Sequence, residues 1–178
     1  MRHRLPIIVL LAVLLTLVGA SPTFASGGPH QAFPSPVHPN TPTCHGSGGP
    51  SGCDGKDPYL TGCAGNGASY GVILSANVTD SHGNYGGYVQ LWWSKTCQTN
   101  WTRVVGQGNG MNELRVDLYT QDGRSQIDLC RVGIECPTIN GFPYDITGQL
   151  YAPTVSANGF GYVFGVDNYS GKVCQYSC

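Results

Sequence analysis

A small all-β domain, an antiparallel sandwich or barrel stapled by disulfides, is the fold class this sequence predicts, on three observations. Apolar residues alternate with small or polar ones over several short runs, and no amphipathic pattern of helical period lasts ten residues. Glycine is frequent, at 26 of 178 residues, and gathers between those runs as turn punctuation. All 8 cysteines lie downstream of an apolar leader, where an even count reads as a disulfide framework.

The elements follow in order. Arg2 and Arg4 precede the apolar stretch Ile7 to Val18, and Thr23-Phe24-Ala25 supplies a small-residue cleavage site, so residues 1–25 are expected to be a secretory signal peptide. The apolar stretch holds about a dozen residues, short of the roughly 20 that span a bilayer. No membrane span is therefore expected after signal cleavage. Residues 26–43, SGGPHQAFPSPVHPNTPT, carry 5 prolines and few apolar side chains and read as a disordered tether. A single disulfide-bonded β domain is expected over 44–178, the size of one domain.

Within that domain, 69–79 places Tyr70, Val72, Leu74, Ala76 and Val78 on one face. The turn DSHGN leads into 85–94, where Val89, Leu91 and Trp93 alternate with Tyr88, Gln90 and Trp92, and Gly86-Gly87 marks a bulge. In 113–119 the pattern puts Leu114, Val116 and Leu118 inward. Glu113, Arg115 and Asp117 then form a solvated face of alternating charge. Shorter strands are expected over 125–130, 144–151, 160–166 and 172–176. The segment GFGYVFGV sets Phe160, Tyr162, Phe164 and Val166 against Gly159, Gly161, Val163 and Gly165, and a face nearly free of side chains implies close approach of another segment or ligand.

Folding 69–79 back on 85–94 about residue 82 brings Cys63 and Cys97 together, and Cys44 then pairs with Cys53 across HGSGGPSG. For the last four cysteines, an extended 172–178 would hold Cys174 and Cys178 roughly 13 Å apart. That is beyond the roughly 7 Å a bridge tolerates. At least one of Cys174 and Cys178 is therefore expected to reach back to Cys130 or Cys136. A zinc site is the competing reading, but only Cys174 and Cys178 have ligand spacing. In CDGKDPYLTGC, Asp54 and Asp57 offer too few oxygens for calcium and are expected to bond their own backbone in Gly/Pro turns. Neither a metal nor a cofactor is expected.

CDGKDPYLTGCA at 53–64 followed by VQLWWSKTCQTNWTRV at 89–104 resembles the YjfA-like family of bacterial exported domains of unknown function (the DUF 2690 group). The matching positions are Cys53, Gly55, Lys56, Pro58, Cys63, Leu91, Ser94, Cys97, Trp101 and Arg103. Gln90, Trp92, Trp93, Lys95 and Thr102 depart from the family pattern. The resemblance implies a small exported disulfide-bonded bacterial domain and supplies no catalytic residues.

Loss of Arg2 and Arg4 with the leader leaves 7 of the 9 Lys and Arg against 10 Asp and Glu. No basic run remains, which argues against nucleic acid as a partner. No catalytic residues are identified: His30 and His38 fall in the tether, His45 in the glycine loop, His82 in the hairpin turn, and there is no G-x-S-x-G motif. The aromatic residues are the stronger signal, and Tyr88, Trp92, Trp101 and Arg103 are the candidate ligand-binding residues, suited to stacking on sugar or peptide. The expected function is a non-enzymatic binding module, secreted and cell-surface associated, with envelope polysaccharide or protein as partner. The alternatives are a secreted hydrolase with an unrecognised site and a purely structural or interaction protein. The sequence does not fix an oligomeric state.

Overall fold

The computed structural model describes residues 41–49, 51–65 and 67–178. The expected signal peptide, the first part of the tether, His30 and His38 lie outside the described residues. Ten strands follow in order: β1 Tyr70–Thr79, β2 Tyr85–Ser94, β3 Thr99–Gly106, β4 Glu113–Thr120, β5 Ser125–Arg131, β6 Thr138–Ile139, β7 Phe142–Ile146, β8 Leu150–Tyr151, β9 Ala157–Phe164 and β10 Tyr169–Cys174. Among the described residues there is no helix, so none is long and apolar enough to cross a membrane.

All the pairings are antiparallel, in the order β5-β4-β9-β10-β1-β2-β3-β7-β6, with β8 added to β3. The sheet curls on itself: β9 packs across the interior on β2 and β3, and β7 meets β4 and β5. The result is a half-barrel, filled by Val78, Val89, Leu91, Val104, Leu114, Val116, Leu118, Leu150, Ala157, Val163 and Val173. Period-two alternation in β2, β4 and β9 delivers one buried row each to that interior.

Closure needs small residues on one side. Gly159 and Gly161 of β9 face inward, where a Cβ at Gly161 would lie 2.9 Å from Val89 Cβ and from Val104 Cγ2. At Gly159 it would lie 2.7 Å from Thr102 Oγ1. The bare face of GFGYVFGV is thus occupied by β2 and β3 at Gly159 and Gly161, and by the backbone of Gly110 and Met111 at Gly165. The loop after β1 keeps its turn through Asp80, whose carboxylate accepts from His82 N and Asn84 N, each at 2.8 Å. The bulge on β2 falls at Gly86, where any side chain would run into the Tyr169 ring.

Three expectations need correction. The straight alternation read over 69–79 breaks at Ile73, where a register shift turns Leu74, Ala76 and Val78 inward but Tyr70 and Val72 outward. Strand β3 was not among the expected strands; both its faces are covered, which erases the alternation. Finally, Cys130 bridges Cys136 and Cys174 bridges Cys178, with Cα separations of 5.1 and 6.1 Å, in place of any link between the two regions. The chain stops being extended at Cys174: Asn158 Oδ1 accepts from Gln175 N and Tyr176 N, and this bend brings Cys178 back. Cys130 reaches Cys136 through a turn in which the amides of Ile134, Glu135 and Cys136 all donate to Arg131 O and Gly133 takes φ 78°.

Candidate functional site

The segments 41–49 and 51–65 form a lobe laid on the outer face of β3 and β8. Cys44–Cys53 and Cys63–Cys97 staple it, with Cα separations of 5.0 and 5.6 Å. Its loop CDGKD docks like a strand: Gly55 N donates to Gln149 O and Gln149 N to Lys56 O, each at 2.9 Å. Asp54 Oδ1 accepts from Tyr151 N at 2.6 Å, and its Oδ2 pairs with Arg124 Nη1 at 2.9 Å. Asp57 Oδ1 accepts from Tyr59 N at 2.7 Å and Leu60 N at 3.1 Å. Gln149, fully buried, donates through Nε2 to Thr61 Oγ1 at 2.8 Å and accepts at Oε1 from Thr99 Oγ1 at 2.7 Å. Each donor and acceptor here stitches lobe to sheet. Cys44, Cys53 and Cys63 form the one group of three metal-capable residues among the described residues, but their sulfurs are held in disulfides and offer no thiolate.

Beside this lobe lies an aromatic cluster on the outer face of β1, β2 and β3. Trp92 stands opposite Val72 on one side and Trp101 on the other. The Trp92 and Trp101 rings stack at 5.9 Å and 13°, and Tyr70 lies 6.0 Å from Trp92 and 6.2 Å from Trp101. Arg103 sits 4.5 Å over the Trp92 ring, held by Nη2 and Nε donating to Gln90 Oε1 at 2.7 and 3.2 Å. Tyr59 of the lobe is close by; burial pushes its hydroxyl pKa up, and the Arg103 charge opposes that rise. Tyr144 of β7, half-buried near Tyr59, is raised for the same first reason.

The structure therefore brings Trp92, Trp101 and Arg103 together but gives them different roles. Trp101 is wholly buried, so it is floor to the cluster and presents nothing to a ligand. Trp92 is half-buried between Arg103 and Trp101, and Tyr88 is half-buried two pleat repeats away, beyond Gln90, opposite Asn77 and Val105. The open part of the face is Tyr70 and Val72, each 41% exposed. The alternation over 69–79 sets those two on one face with Leu74, Ala76 and Val78; the bulge at Ile73 puts them on the opposite side.

A second outer face runs across β4 and β9, and on β4 the alternation of Glu113, Arg115 and Asp117 predicts solvated charge. Asp117 is instead 1% exposed, beneath Arg115, which donates from Nε and Nη2 at 2.9 and 3.0 Å. That bonding holds the guanidinium pKa above its ordinary value, with the Asp117 hydrogen bonds the largest cause. Register places Tyr162 beside Arg115 and Phe160 beside Asp117, and these rings exclude water from the carboxylate. The pair is a fixed bidentate contact rather than a mobile surface one.

Of the histidines within the described residues, His45 is exposed in its loop and His82 is 82% exposed, 3.9 Å from Asp80 Oδ2 on the open hairpin turn. A different titratable group is enclosed. Asp145 of β7 points into the half-barrel opposite Val104, only 3% exposed, with Oδ2 lacking a hydrogen-bond partner among the described residues. Burial, then the Asp128 charge on facing β5, pushes its pKa well above the carboxylate range.

A family model described as a protein of unknown function (DUF2690) matches residues 51–156, more than half of the chain. The chain belongs to the DUF2690 family. No curated protein and no solved structure matches it. In this DUF2690 domain the match takes in the docked loop, the Cys63–Cys97 bridge and the aromatic cluster, and it ends one residue before β9 begins.

Proposed function

We propose that this DUF2690 domain is an exported, non-enzymatic binding module acting outside the cell, and that it meets envelope polysaccharide or protein through the Tyr70, Val72, Trp92 and Arg103 face. The observation that carries the reading is the pairing of open Tyr70 and Val72 with a rigid base of Trp92 on Trp101. Aromatic surface held in place stacks on a sugar ring or side chain with little loss of conformational freedom. Gln90 and Arg103 border it with planar hydrogen-bonding groups suited to hydroxyls and amides. Four disulfides and the leader favour the exported setting.

Glycan-array and envelope pull-down binding of the domain, compared with Tyr70→Ala, tests this. Loss of tenfold or more in affinity with unchanged circular dichroism is expected. No ligand in either assay, or a ligand indifferent to Tyr70→Ala, overturns the reading. A hydrolase is the second reading, favoured by enclosed Asp145 beside the charge of Asp128. Hydrolysis of envelope glycan abolished by Asp145→Asn would establish it.

A further inference from the structure

The two bridges of the lobe touch. Cys44 Sγ and Cys63 Sγ, from different disulfides, lie 3.5 Å apart, and the sulfurs of Cys44, Cys53 and Cys63 fall within 4.8 Å of one another. Neither sulfur of the 3.5 Å pair carries a hydrogen, so this is van der Waals contact; with all three sulfurs within 4.8 Å of one another, Cys63 Sγ lies beside the Cys44–Cys53 bond, and once released from Cys97 it turns about its Cα–Cβ bond to attack in line. Access is unequal. Cys44, Cys53 and Cys63 are 0% exposed, whereas Cys97 is 5% exposed and flanked by exposed Lys95, Thr96 and Gln98. A thiolate arriving from solvent therefore meets Cys97 first, beside the positive charge of Lys95. Within the cluster, Gln149 Nε2 points its N–H at Cys44 Sγ from 3.5 Å, which draws electron density from that sulfur and makes it the better electrophile.

We propose that Cys44, Cys53, Cys63 and Cys97 form a thiol-exchange relay, with Cys97 the site modified by a small monothiol and Cys53 the site at which a thiol is released. The incoming thiolate bonds to Cys97 Sγ, the Cys63–Cys97 bond breaks, and its electron pair leaves on Cys63. The Cys63 thiolate then bonds to Cys44 Sγ across the 3.5 Å contact, the Cys44–Cys53 bond breaks, and the pair leaves on Cys53, which takes a proton from water. One thiol is consumed and one appears, with no net oxidation or reduction. The new Cys44–Cys63 bridge closes the lobe on itself, while the covalent tie from Cys63 to the end of β2 is lost. The loop from His45 to Gly52, closed until then by Cys44–Cys53 and by Cys53 N donating to Gly46 O, loses its covalent tie.

The full chain is treated with reduced glutathione, quenched in acid, alkylated and mapped without reduction. Glutathione on Cys97, alkylation on Cys53 and a Cys44–Cys63 linked peptide are the expected products. Alkylation on Cys63 with Cys44–Cys53 intact overturns the relay, as does glutathione on Cys44 or Cys53, or no adduct at hundredfold excess. The double variant Cys53→Ser with Cys97→Ser provides a second measurement. A Cys44–Cys63 bridge formed in air supports the contact, and two free thiols in a chain that folds refute it. Should that variant fail to fold, the mapping of the unaltered chain decides alone.

Discussion

Asp145 shows how one side chain departs from what its sequence neighbours suggest. In FPYDI it reads as a polar interruption, yet β7 pairs with β3 so that Asp145 shares the inward row of Val104. A carboxyl there keeps its proton to a higher pH than in the unfolded chain. The folded state thus binds a proton that the unfolded state has already lost. Stability is greatest below the unfolded pKa, near 3.8, falls as pH rises from there through the raised folded pKa, and then levels off. Asp145→Asn removes this dependence. Urea midpoints of the two proteins are expected to agree near pH 4 and to diverge as pH rises, with the Asn variant the more stable at neutral pH. Equal midpoints at neutral pH would show that the carboxylate is tolerated there. Nothing in the local sequence signals this behaviour, because it arises from the meeting of β7 with β5, remote strands whose approach depends on the curl of the sheet.

The legible elements were those with one dry face. ELRVDLY announces Leu114, Val116 and Leu118 as an inward row, and they are fully buried. TNWTRVVG hides itself as a strand because lobe and core cover both its faces, and the run from Tyr70 to Val78 misleads because alternation carries no mark of an extra residue at Ile73. The candidate site suffered from the same two causes: Trp101 belongs to the hidden strand and Tyr70 to the bulged one. The bare face of β9 was readable as close approach, and the structure identifies the neighbours as Val89, Thr102 and Val104. Gly161→Ala tests how tight that contact is, since the added methyl would sit 2.9 Å from two valine carbons on strands that also pair with each other. A loss of about 1–3 kcal/mol is expected from overpacking. It should appear as a lower denaturant midpoint with an unchanged slope. A variant as stable as the parent would mean that β9 can move away from β2 and β3 without cost.

On the scale of the whole molecule, three structural parts must stay in register: the curled sheet, the β4–β5 hairpin and the amino-terminal lobe. The bridge Cys63–Cys97 ties the lobe to the end of β2 but leaves it free to hinge. Asp54 removes that freedom by reaching both β8, through Tyr151 N, and the β4–β5 turn, through Arg124. Arg124 is braced in turn by Asp122, whose carboxyl the Arg124 and Thr120 hydrogen bonds hold down to about 2. Asp54→Ala removes both contacts at once. Hydrogen bonds to a charged group are worth about 1.5–3 kcal/mol. The part-exposed Arg124 pair adds little to this, and the disulfide still prevents escape. The expected outcome is local loosening and not unfolding: far-ultraviolet circular dichroism unchanged, with faster hydrogen exchange at the amides of Gly55 and Gln149, which bond lobe to sheet. Trp101, dry beneath the lobe, should gain water and shift its emission to the red. Unchanged exchange at Gly55 and Gln149 would mean that the backbone pairing and the bridges hold the lobe without Asp54. Binding at the Tyr70 face should also weaken in this variant if Trp101 is the floor on which Trp92 and Tyr70 are held.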